Sequence, residues 1–510
     1  MQRSGNSRSS FRRRKRASSA LLRLALTGLT LGASLAAGAQ TPSLDLPDMG
    51  ASAQTILSRA EEEEYARALV MQMRAYGVLN DDPLISDFFE DMGYRLAAHS
   101  DRPDKSFTFV VLNQDVVNAF AAPGGVIALY SGLILAADDE NEVAGVLAHE
   151  IAHVTQLHLY RALENQKAMT IPIVLGMLAI ALAGGGDGQA VTGALMSGQA
   201  AAAQTAINYT RQNEYEADRI GISTLSRAGY DPTGMAEFFE KMGRITRAMG
   251  EGPPEFLRTH PVSVSRIAEA ENRAANMPPV EPSDGRDFYL VQARLRAMLA
   301  RSPDEALEWF DDRSQRADVG QAESDALYYG RAIALQRKGE YAAARELLQN
   351  LMERDHHLAF ELQLAELDLD ANRNDAAIDR LAGLYLSFPG NHAISTWYAR
   401  ALLKDRDRTK AETAAVVLRQ QLLQHADDPE LHELYARSAN IAGDDVRAKE
   451  AIAESYYLKG KIHEAALQLQ ELARRDDLDY YQRARITARI NELRLELAKM
   501  GKEEVKEERR

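Results

Sequence analysis

The 510-residue sequence contains no cysteine. A disulfide, a thiol nucleophile and a thiolate metal site are therefore excluded, so any bound metal must be held by histidine and carboxylate side chains. The absence of cysteine also suits an oxidising compartment. The composition is 45% hydrophobic and 26% charged, which is typical of a globular protein, and the length is enough for two or three hydrophobic cores.

Positive charge is in short supply outside the N-terminus, and the formal net charge is −14. Basic residues 12–16 precede an apolar stretch over residues 20–37, and Ala37, Gly38 and Ala39 have the form of a cleavage site. We therefore predict a secretory signal peptide over residues 1–39; the alternative is a mitochondrial presequence, because the segment is rich in Arg and Ser and has no acids. Its removal takes away seven Arg and one Lys, which changes the charge from −14 to −22. Such an acidic chain argues against nucleic acid or acidic lipid as a general partner.

After the signal segment the sequence also lacks a long hydrophobic run. Residues 169–183 are apolar but are broken by Pro172 and Gly176 and followed by a glycine-rich stretch. A membrane span needs roughly twenty apolar residues, so this run is too short. Residues 169–188 are expected to form a buried hairpin or a mobile flap over the site, with at most peripheral membrane contact.

The sequence does contain the pattern H-E-x-x-H, formed by His149, Glu150 and His153 within a stretch with helical apolar spacing. On a helix the two imidazoles leave the same face one turn apart and can hold one metal ion. Glu150 would then take a proton from a bound water, as zinc hydrolysis requires. The alternative is a surface helix with two solvated histidines.

A second acidic helix is predicted downstream. Glu214 and Asp218 lie four residues apart, so Glu214 can complete a His2Glu ligand set while Asp218 hydrogen-bonds the far nitrogen of a liganding imidazole. Zinc is preferred on ligand type alone. Glu216 is expected to point elsewhere, and without the upstream motif the whole helix would be interpreted as a solvated acidic helix.

Three further histidines are weaker candidates. His260 precedes Pro261, which fixes the local backbone, so a rigid His260 could donate to the oxyanion or occupy the open metal position; otherwise it lies at the start of a helix. His158 is expected to face away from any metal, because it falls about 180° round a continuous helix from His149. His99 has no supporting motif.

Two strands are predicted over residues 106–112 and 126–133, from β-branched and aromatic residues in alternation. The small residues and double glycine between them, residues 118–125, would leave one strand edge uncrowded near the metal helix. An extended peptide can be held at such an edge by main-chain hydrogen bonds that ignore its sequence. The alternative is an ordinary turn.

Beyond a predicted linker at residues 276–286, the pattern changes to repeated helix pairs. Small and apolar residues recur 33 positions later, for example Ala332 and Ala365, Ala344 and Ala377. A period near 34 predicts an all-α tetratricopeptide solenoid over residues 287–500, with a charged tail at 501–510. Such a solenoid offers a concave surface for a peptide or partner protein. The expected fold is mainly α: an α+β zincin domain of gluzincin type with a small sheet, over residues 40–275, followed by this solenoid.

The combined motifs resemble those of the HtpX-like zinc metallopeptidases, whose pattern pairs H-E-x-x-H with R-x-x-E-x-x-A-D and T-H-P. These match His149 to His153, Arg211 to Asp218 and Thr259 to Pro261, and the match extends through residues 118–125. The resemblance implies one Zn²⁺ on His149, His153 and Glu214, Glu150 as general base, Asp218 as a supporting carboxylate and His260 near the zinc.

The whole mature chain is similar to periplasmic family members of Gram-negative bacteria that carry C-terminal repeats. That resemblance implies degradation of misfolded or misassembled outer-membrane β-barrel proteins, possible chaperone activity, and repeats that engage the β-barrel assembly machinery. A second hypothesis is a repeat chaperone or adaptor with a latent or gated protease site.

Overall fold

The computed structural model describes residues 57–165, 211–249, 254–281, 283–316 and 319–507. The predicted signal peptide and the 169–188 segment lie outside these residues. In the described part of the chain, no helix combines the length and apolar character needed to cross a membrane.

Two helices with N-terminal caps precede the sheet, and the capping residues of both can be recognised in the sequence. Helix α1 (Arg59–Ala75) begins after Ser58, whose side chain accepts from the Glu61 backbone N–H while Glu61 bonds back to Ser58. Helix α2 (Pro83–Ala98) begins after Asp82, whose side chain accepts from two backbone N–H groups. Proline at the first position of α2 loses no hydrogen bond, because that N–H has no partner within the helix.

The sheet has three strands, β1 (Thr108–Leu112), β2 (Ala119–Ala122) and β3 (Val126–Tyr130), in the order β1-β3-β2. Strand β1 pairs parallel to β3, with Thr108 opposite Val126, and β2 pairs antiparallel, with Ala119 opposite Leu129. Strands therefore lie within both predicted segments, 106–112 and 126–133, but the second ends at Tyr130, because residues 131–133 already belong to a helix. The stretch between the two segments is itself the strand β2, which forms one edge of the sheet.

Pro123, Gly124 and Gly125 form a short 3-10 turn between β2 and β3. Both glycines have φ of +78°, and a Cβ on Gly124 would lie 2.3 Å from the backbone oxygen of Glu62 in α1. A Cβ on Gly125 would lie 2.2 Å from the backbone oxygen of Ser106. The double glycine thus permits close packing of the turn against α1 and the chain before β1.

Helices complete the first domain around the sheet. They are α3 (Ser131–Ala136), α4 (Glu140–Thr155), α5 (His158–Asn165), α6 (Arg211–Arg227), α7 (Gly234–Met249), α8 (Glu255–Thr259) and α9 (Val264–Ala274). Helix α4 lies at the centre: every residue from Glu142 to Thr155 is buried, and the helix packs on α2, α6, α7 and β2. A helix enclosed on all sides holds its polar side chains away from water.

The described residues after α9 form helices joined by short connections and contain no strand. The helices are α10 (Arg286–Leu299), α11 (Pro303–Ser314), α12 (Gln321–Lys338), α13 (Tyr341–Arg354), α14 (Leu358–Asp370), α15 (Asn374–Ser387), α16 (His392–Leu402), α17 (Arg408–Gln421), α18 (Pro429–Ala442), α19 (Asp445–Leu458), α20 (Ile462–Ala473) and α21 (Tyr480–Glu507).

Turns with left-handed backbone recur along this helical array, at Gly339, Asn372, Arg406, Gly443 and Gly460. Gly339 and Asn372 are 33 residues apart and end equivalent helices, α12 and α14. The paired residues Ala332 and Ala365 are fully buried, as are Ala344 and Ala377. These positions follow the 33-residue spacing seen in the sequence, and the structure confirms the expected fold class: an α+β domain with a small sheet followed by an all-helical region.

Helix α10 belongs to both regions. Its residues Phe288, Val291 and Leu295 are buried in the core of the first domain. Leu290, Ala293 and Ala297, from the same helix, are buried in the first core of the repeats. In the predicted linker, the described residues 276–281 and 283–285 lie in neither helix nor strand, and Arg286 already begins α10, which joins the two regions through continuous packing.

The repeats also return to the first domain farther along. His392 in α16 contacts Asp87 in α2, with 2.9 Å between Nδ1 and Oδ1. Met71 in α1 shares a hydrophobic core with residues of α19 to α21, including Leu458, Leu469 and Ile490. The described residues from Gly50 onward form a single compact unit.

Candidate metal centre

Helix α4 places the H-E-x-x-H residues in the protein interior. Its first turn is fixed by Asp139, whose side chain accepts from the backbone N–H groups of Asn141 at 2.8 Å and Glu142 at 3.1 Å. His149 and His153 are 0% and 2% exposed. A surface helix with solvated histidines is therefore excluded.

Glu214, on α6, meets both imidazoles. Its carboxylate oxygens lie 3.6 Å from His149 Nε2 and 3.4 Å from His153 Nε2, and the two Nε2 atoms are 3.0 Å apart. In a tetrahedral zinc site with bonds of about 2.0–2.2 Å, the ligand atoms lie roughly 3.3 Å from each other. The spacing and the nitrogen and oxygen donors of these three side chains thus fit a zinc ion.

His260 joins the same group. It follows the short helix α8, and its ring stacks on Phe256 with centroids 5.1 Å apart. Its Nδ1 lies 3.1 Å from Glu214 Oε1 and 3.3 Å from His149 Nε2. One candidate ligand atom from each of the four residues His149, His153, Glu214 and His260 lies within 4.8 Å of the others.

Glu150 lies beside this group and is 1% exposed. Its Oε1 is 3.4 Å from His260 Nε2 and accepts no hydrogen bond from the described residues. Burial raises the pKa of Glu150, although the neighbouring histidines oppose that shift. A carboxylate with a raised pKa and an available oxygen can take up a proton.

Asp218 supports His149 from behind. Its Oδ1 lies 3.0 Å from His149 Nδ1, the nitrogen that faces away from the ligand group. Burial opposes ionisation of Asp218, but its hydrogen bonds with Arg266 and His149 outweigh that effect and lower its pKa. Burial likewise disfavours protonated His149, yet the Asp218 and Glu214 carboxylates raise its pKa to about 9.

Arg266 was not predicted from the sequence. It binds Asp218 through two hydrogen bonds of 2.7 Å and reaches Glu214 Oε2 at 2.8 Å, while it is 2% exposed. Its buried positive charge offsets part of the negative charge of the two buried carboxylates. A signal was available, since Arg266 lies on the same face of α9 as the buried Ala270 and Ala274, where a charged residue is unexpected.

His158 is not among the four candidate ligand residues, but the reason given for expecting it to face away from the metal was wrong. It assumed a helix that continues through His158, but α4 ends at Thr155, Leu157 has φ of +57°, and α5 begins at His158. The break turns the His158 ring back toward α4, so that its Nδ1 lies 2.9 Å from His153 Nδ1. Glu216, also predicted to point elsewhere, lies 3.1 Å from His158 Nε2. His99 ends α2, where its Nδ1 bonds to the Arg95 carbonyl, outside the candidate site.

Strand β2 lies close to this centre. It packs on α4, and the backbone of Ala121 hydrogen-bonds to the Glu150 carboxylate. Among the described residues, β2 has β3 as a neighbouring strand on one side and no strand on the other. The edge beside Glu150 is thus formed by β2, which the sequence analysis had placed between two strands.

Comparison with known proteins is consistent with this geometry. The profile of peptidase family M48 matches residues 88–274. The chain is 35% identical over 450 residues to the beta-barrel assembly-enhancing protease of Escherichia coli K12, covering 88% of this chain and 91% of that protein. It is 34% identical over 475 residues to the Yersinia pestis protein of the same name, covering 92% and 96%. The mitochondrial metalloendopeptidase OMA1 of Saccharomyces cerevisiae is 33% identical over 153 residues, which are 29% of this chain and 41% of that one.

Proposed function

The chain belongs to the M48 family of metallopeptidases, together with the beta-barrel assembly-enhancing proteases, and on that premise we propose that it is a periplasmic zinc endopeptidase. Its proposed substrates are misfolded or misassembled outer-membrane β-barrel proteins. The observation that carries the proposal is the convergence of His149, His153 and Glu214 beside the buried Glu150.

His149, His153 and Glu214 would hold the zinc ion. When bound, zinc supplies Lewis acidity toward the scissile carbonyl and lowers the pKa of water. Glu150 takes a proton from the attacking water and passes it to the leaving amine. Asp218 Oδ1 lies 3.0 Å from His149 Nδ1, so its negative charge favours a proton on that nitrogen and leaves the opposite nitrogen, Nε2, for the ligand group.

The substrate is proposed to bind as an extended chain along β2. Main-chain pairing at a strand edge does not depend on side-chain sequence, which suits an enzyme that acts on unfolded protein. Export through the segment at residues 1–39 would place the enzyme in the periplasm, where such substrates pass. The repeats are proposed to engage the β-barrel assembly machinery, in keeping with the names of the relatives.

A gated site is the second candidate. His260 contacts Glu214, His149 and Glu150 together, so its ring stands where it can serve as a fourth ligand, an oxyanion donor or a gate. Replacement of His260 by Ala distinguishes these roles. Faster cleavage would support a gate and a chaperone or adaptor function with latent proteolysis, whereas lost cleavage would favour a catalytic His260.

The principal test compares Glu150→Gln with the parent protein. We expect the variant to retain one zinc ion and to lose cleavage of unfolded casein by a factor on the order of 10² to 10⁴, the usual contribution of a general base. Equal cleavage rates would contradict the mechanism. The parent protein with a chelator gives the matched control for metal dependence, and a pull-down with the inactive variant identifies substrates.

A further inference from the structure

The two candidate histidine ligands are supported in different ways. His149 Nδ1 faces a carboxylate directly, since Asp218 Oδ1 lies 3.0 Å away. His153 Nδ1 faces another imidazole instead, with His158 Nδ1 at 2.9 Å. The proposed mechanism uses Asp218 but gives no role to His158, although His158 is fully buried.

The proton positions along this second contact follow from hydrogen-bond chemistry. His153 Nε2 faces Glu214 and His149, so a metal bound there leaves the proton on Nδ1. A hydrogen bond between the two Nδ1 atoms then requires His158 Nδ1 to accept. A neutral imidazole that accepts at one nitrogen donates at the other, so His158 Nε2 carries the proton.

The acceptor for that proton is present. Glu216 Oε2 lies 3.1 Å from His158 Nε2, and Arg161 Nη1 lies 3.1 Å from the same oxygen. The chain of contacts therefore runs from His153 through His158 and Glu216 to Arg161. It starts at a fully buried ring and ends at side chains that are 34% and 39% exposed.

We propose that His158 is a positioning residue, which fixes the tautomer and ring orientation of His153 and thereby tightens metal binding. This inference rests on the proposed function, because it takes His153 to be a metal ligand. His158 itself touches neither the metal nor the substrate. Residues that hold a liganding imidazole in this way typically change metal affinity by about 10- to 100-fold when they are replaced.

The test uses the full mature chain and two substitutions that differ in hydrogen bonding. Phe at position 158 keeps a planar ring but accepts no hydrogen bond, whereas the Asn amide oxygen can stand near the position of the imidazole Nδ1. We expect His158→Phe to weaken zinc binding about 10- to 100-fold in competition with a chelator, and His158→Asn to restore most of that affinity. Glu216→Gln is expected to have a smaller effect, since Glu216 acts one contact farther from His153.

The melting temperature of the metal-free protein separates positioning from general support of the fold. The proposal predicts that the metal-free forms of the Phe and Asn variants melt alike, while their zinc affinities differ. It is overturned if His158→Phe binds zinc as tightly as the parent, or if Asn fails to restore affinity. His99→Phe, at an exposed site, is the control for loss of a histidine and is expected to leave affinity unchanged.

Failure of this inference is distinguishable from failure of the proposed function. Glu214→Gln removes a proposed ligand directly, so parent and variant with equal zinc affinity would contradict the metal site itself. If the parent protein binds zinc and the Glu214→Gln variant does not, the metal site is confirmed. In that case an unchanged affinity in His158→Phe rejects only the positioning role.

Discussion

The metallopeptidase domain differs from the repeats in having a cluster of buried charged side chains. In the first domain Glu150, Glu214, Asp218 and Arg266 are each at most 4% exposed and converge on one centre. In the repeats most ion pairs lie near the surface, as in the pair of Arg408 with Glu412, whose side chains are 74% and 54% exposed.

This difference shows what each region is built to do. Buried charges are expensive to desolvate and stabilise a fold only weakly even when paired, so a cluster of them is best explained by chemistry. Surface pairs contribute little, and the repeats depend instead on buried alanine and leucine contacts between neighbouring helices. Substitutions of buried and exposed residues in both regions should therefore differ in their effects on stability.

Arg294 is an exception to the comparison, since it is a fully buried charge on the repeat side of the junction. It binds Asp82 at 2.6 Å and Gln363 at 2.6 Å, so it ties the start of α2 to α14. Arg294→Met leaves Asp82 as an uncompensated buried charge, and we expect a loss of about 3–5 kcal/mol in the free energy of unfolding by urea.

The matched control is Arg301→Met. Arg301 pairs with Glu305 one turn away, and its side chain is 90% exposed. An exposed pair of this kind is screened by solvent, so Arg301→Met is expected to unfold at the same urea concentration as the parent. Similar losses in the two variants would mean that burial does not decide the contribution of a charge in this protein.

Two glycines within helices, one in each region, differ in how closely their surroundings are packed. A Cβ on Gly145, in α4, would lie 2.9 Å from the backbone of Met235 in α7, whereas a Cβ on Gly383, in α15, would meet nothing within 4 Å. Gly145→Ala should therefore destabilise the protein by about 1–3 kcal/mol through overpacking. Gly383→Ala should stabilise it by up to about 1 kcal/mol through helix propensity. Thermal unfolding of both variants measures the change in stability relative to the parent. A change of the same sign in the two variants would contradict the prediction.

The junction of the two regions should be pH-dependent at His392. Burial disfavours the charged ring, but hydrogen bonds with Asp428 and Asp87 outweigh it and raise the pKa to about 10. Since this exceeds the unfolded value of about 6.5, the stabilisation is complete below pH 6.5 and is lost as pH rises through about 10. We expect a loss on the order of 1.5 kcal/mol between pH 8 and 10, the size of a hydrogen bond between charged groups.

His392→Gln should remove that step, as measured by urea unfolding at each pH. Two other groups face His392: Glu90, which also lines this junction, and His425, whose ring stacks on it at 4.3 Å. Burial raises the pKa of Glu90 to about 7, so that its titration is nearly complete by pH 8. If the free energy of unfolding of His392→Gln falls above pH 8 as steeply as that of the parent, the pH dependence belongs to another group.

The smallest effect is expected on the outer surface of the repeats. Arg485 binds Glu450 at 2.7 Å, but the Arg485 side chain is 44% exposed. Arg485→Ala should change the free energy of unfolding by less than about 1 kcal/mol, and added salt should reduce the difference further. A larger loss would place part of the stability of the repeats in their surface charges.

Much of the candidate site was predictable because its residues carry local patterns. His149, Glu150 and His153 share one helix face, and Glu214 and Asp218 share another, so two helices fix five side chains. The metal-binding group itself depends on the packing of α6 against α4, which helical spacing cannot reveal. The family resemblance supplied that long-range pairing, and the structure brings these residues together.

The sequence by itself determined the helices, the internal repeat and the donor types available to a metal, since these depend on periodicity and on the absence of cysteine. Only the tertiary structure decided the roles of His158, Arg266 and Arg294. The role of His158 follows from the left-handed backbone at Leu157. Arg266 contacts Asp218, 48 positions away in the sequence, and Arg294 contacts Asp82, 212 positions away. Hydrophobic periodicity records which face of an element is buried, but it does not record which distant element covers that face.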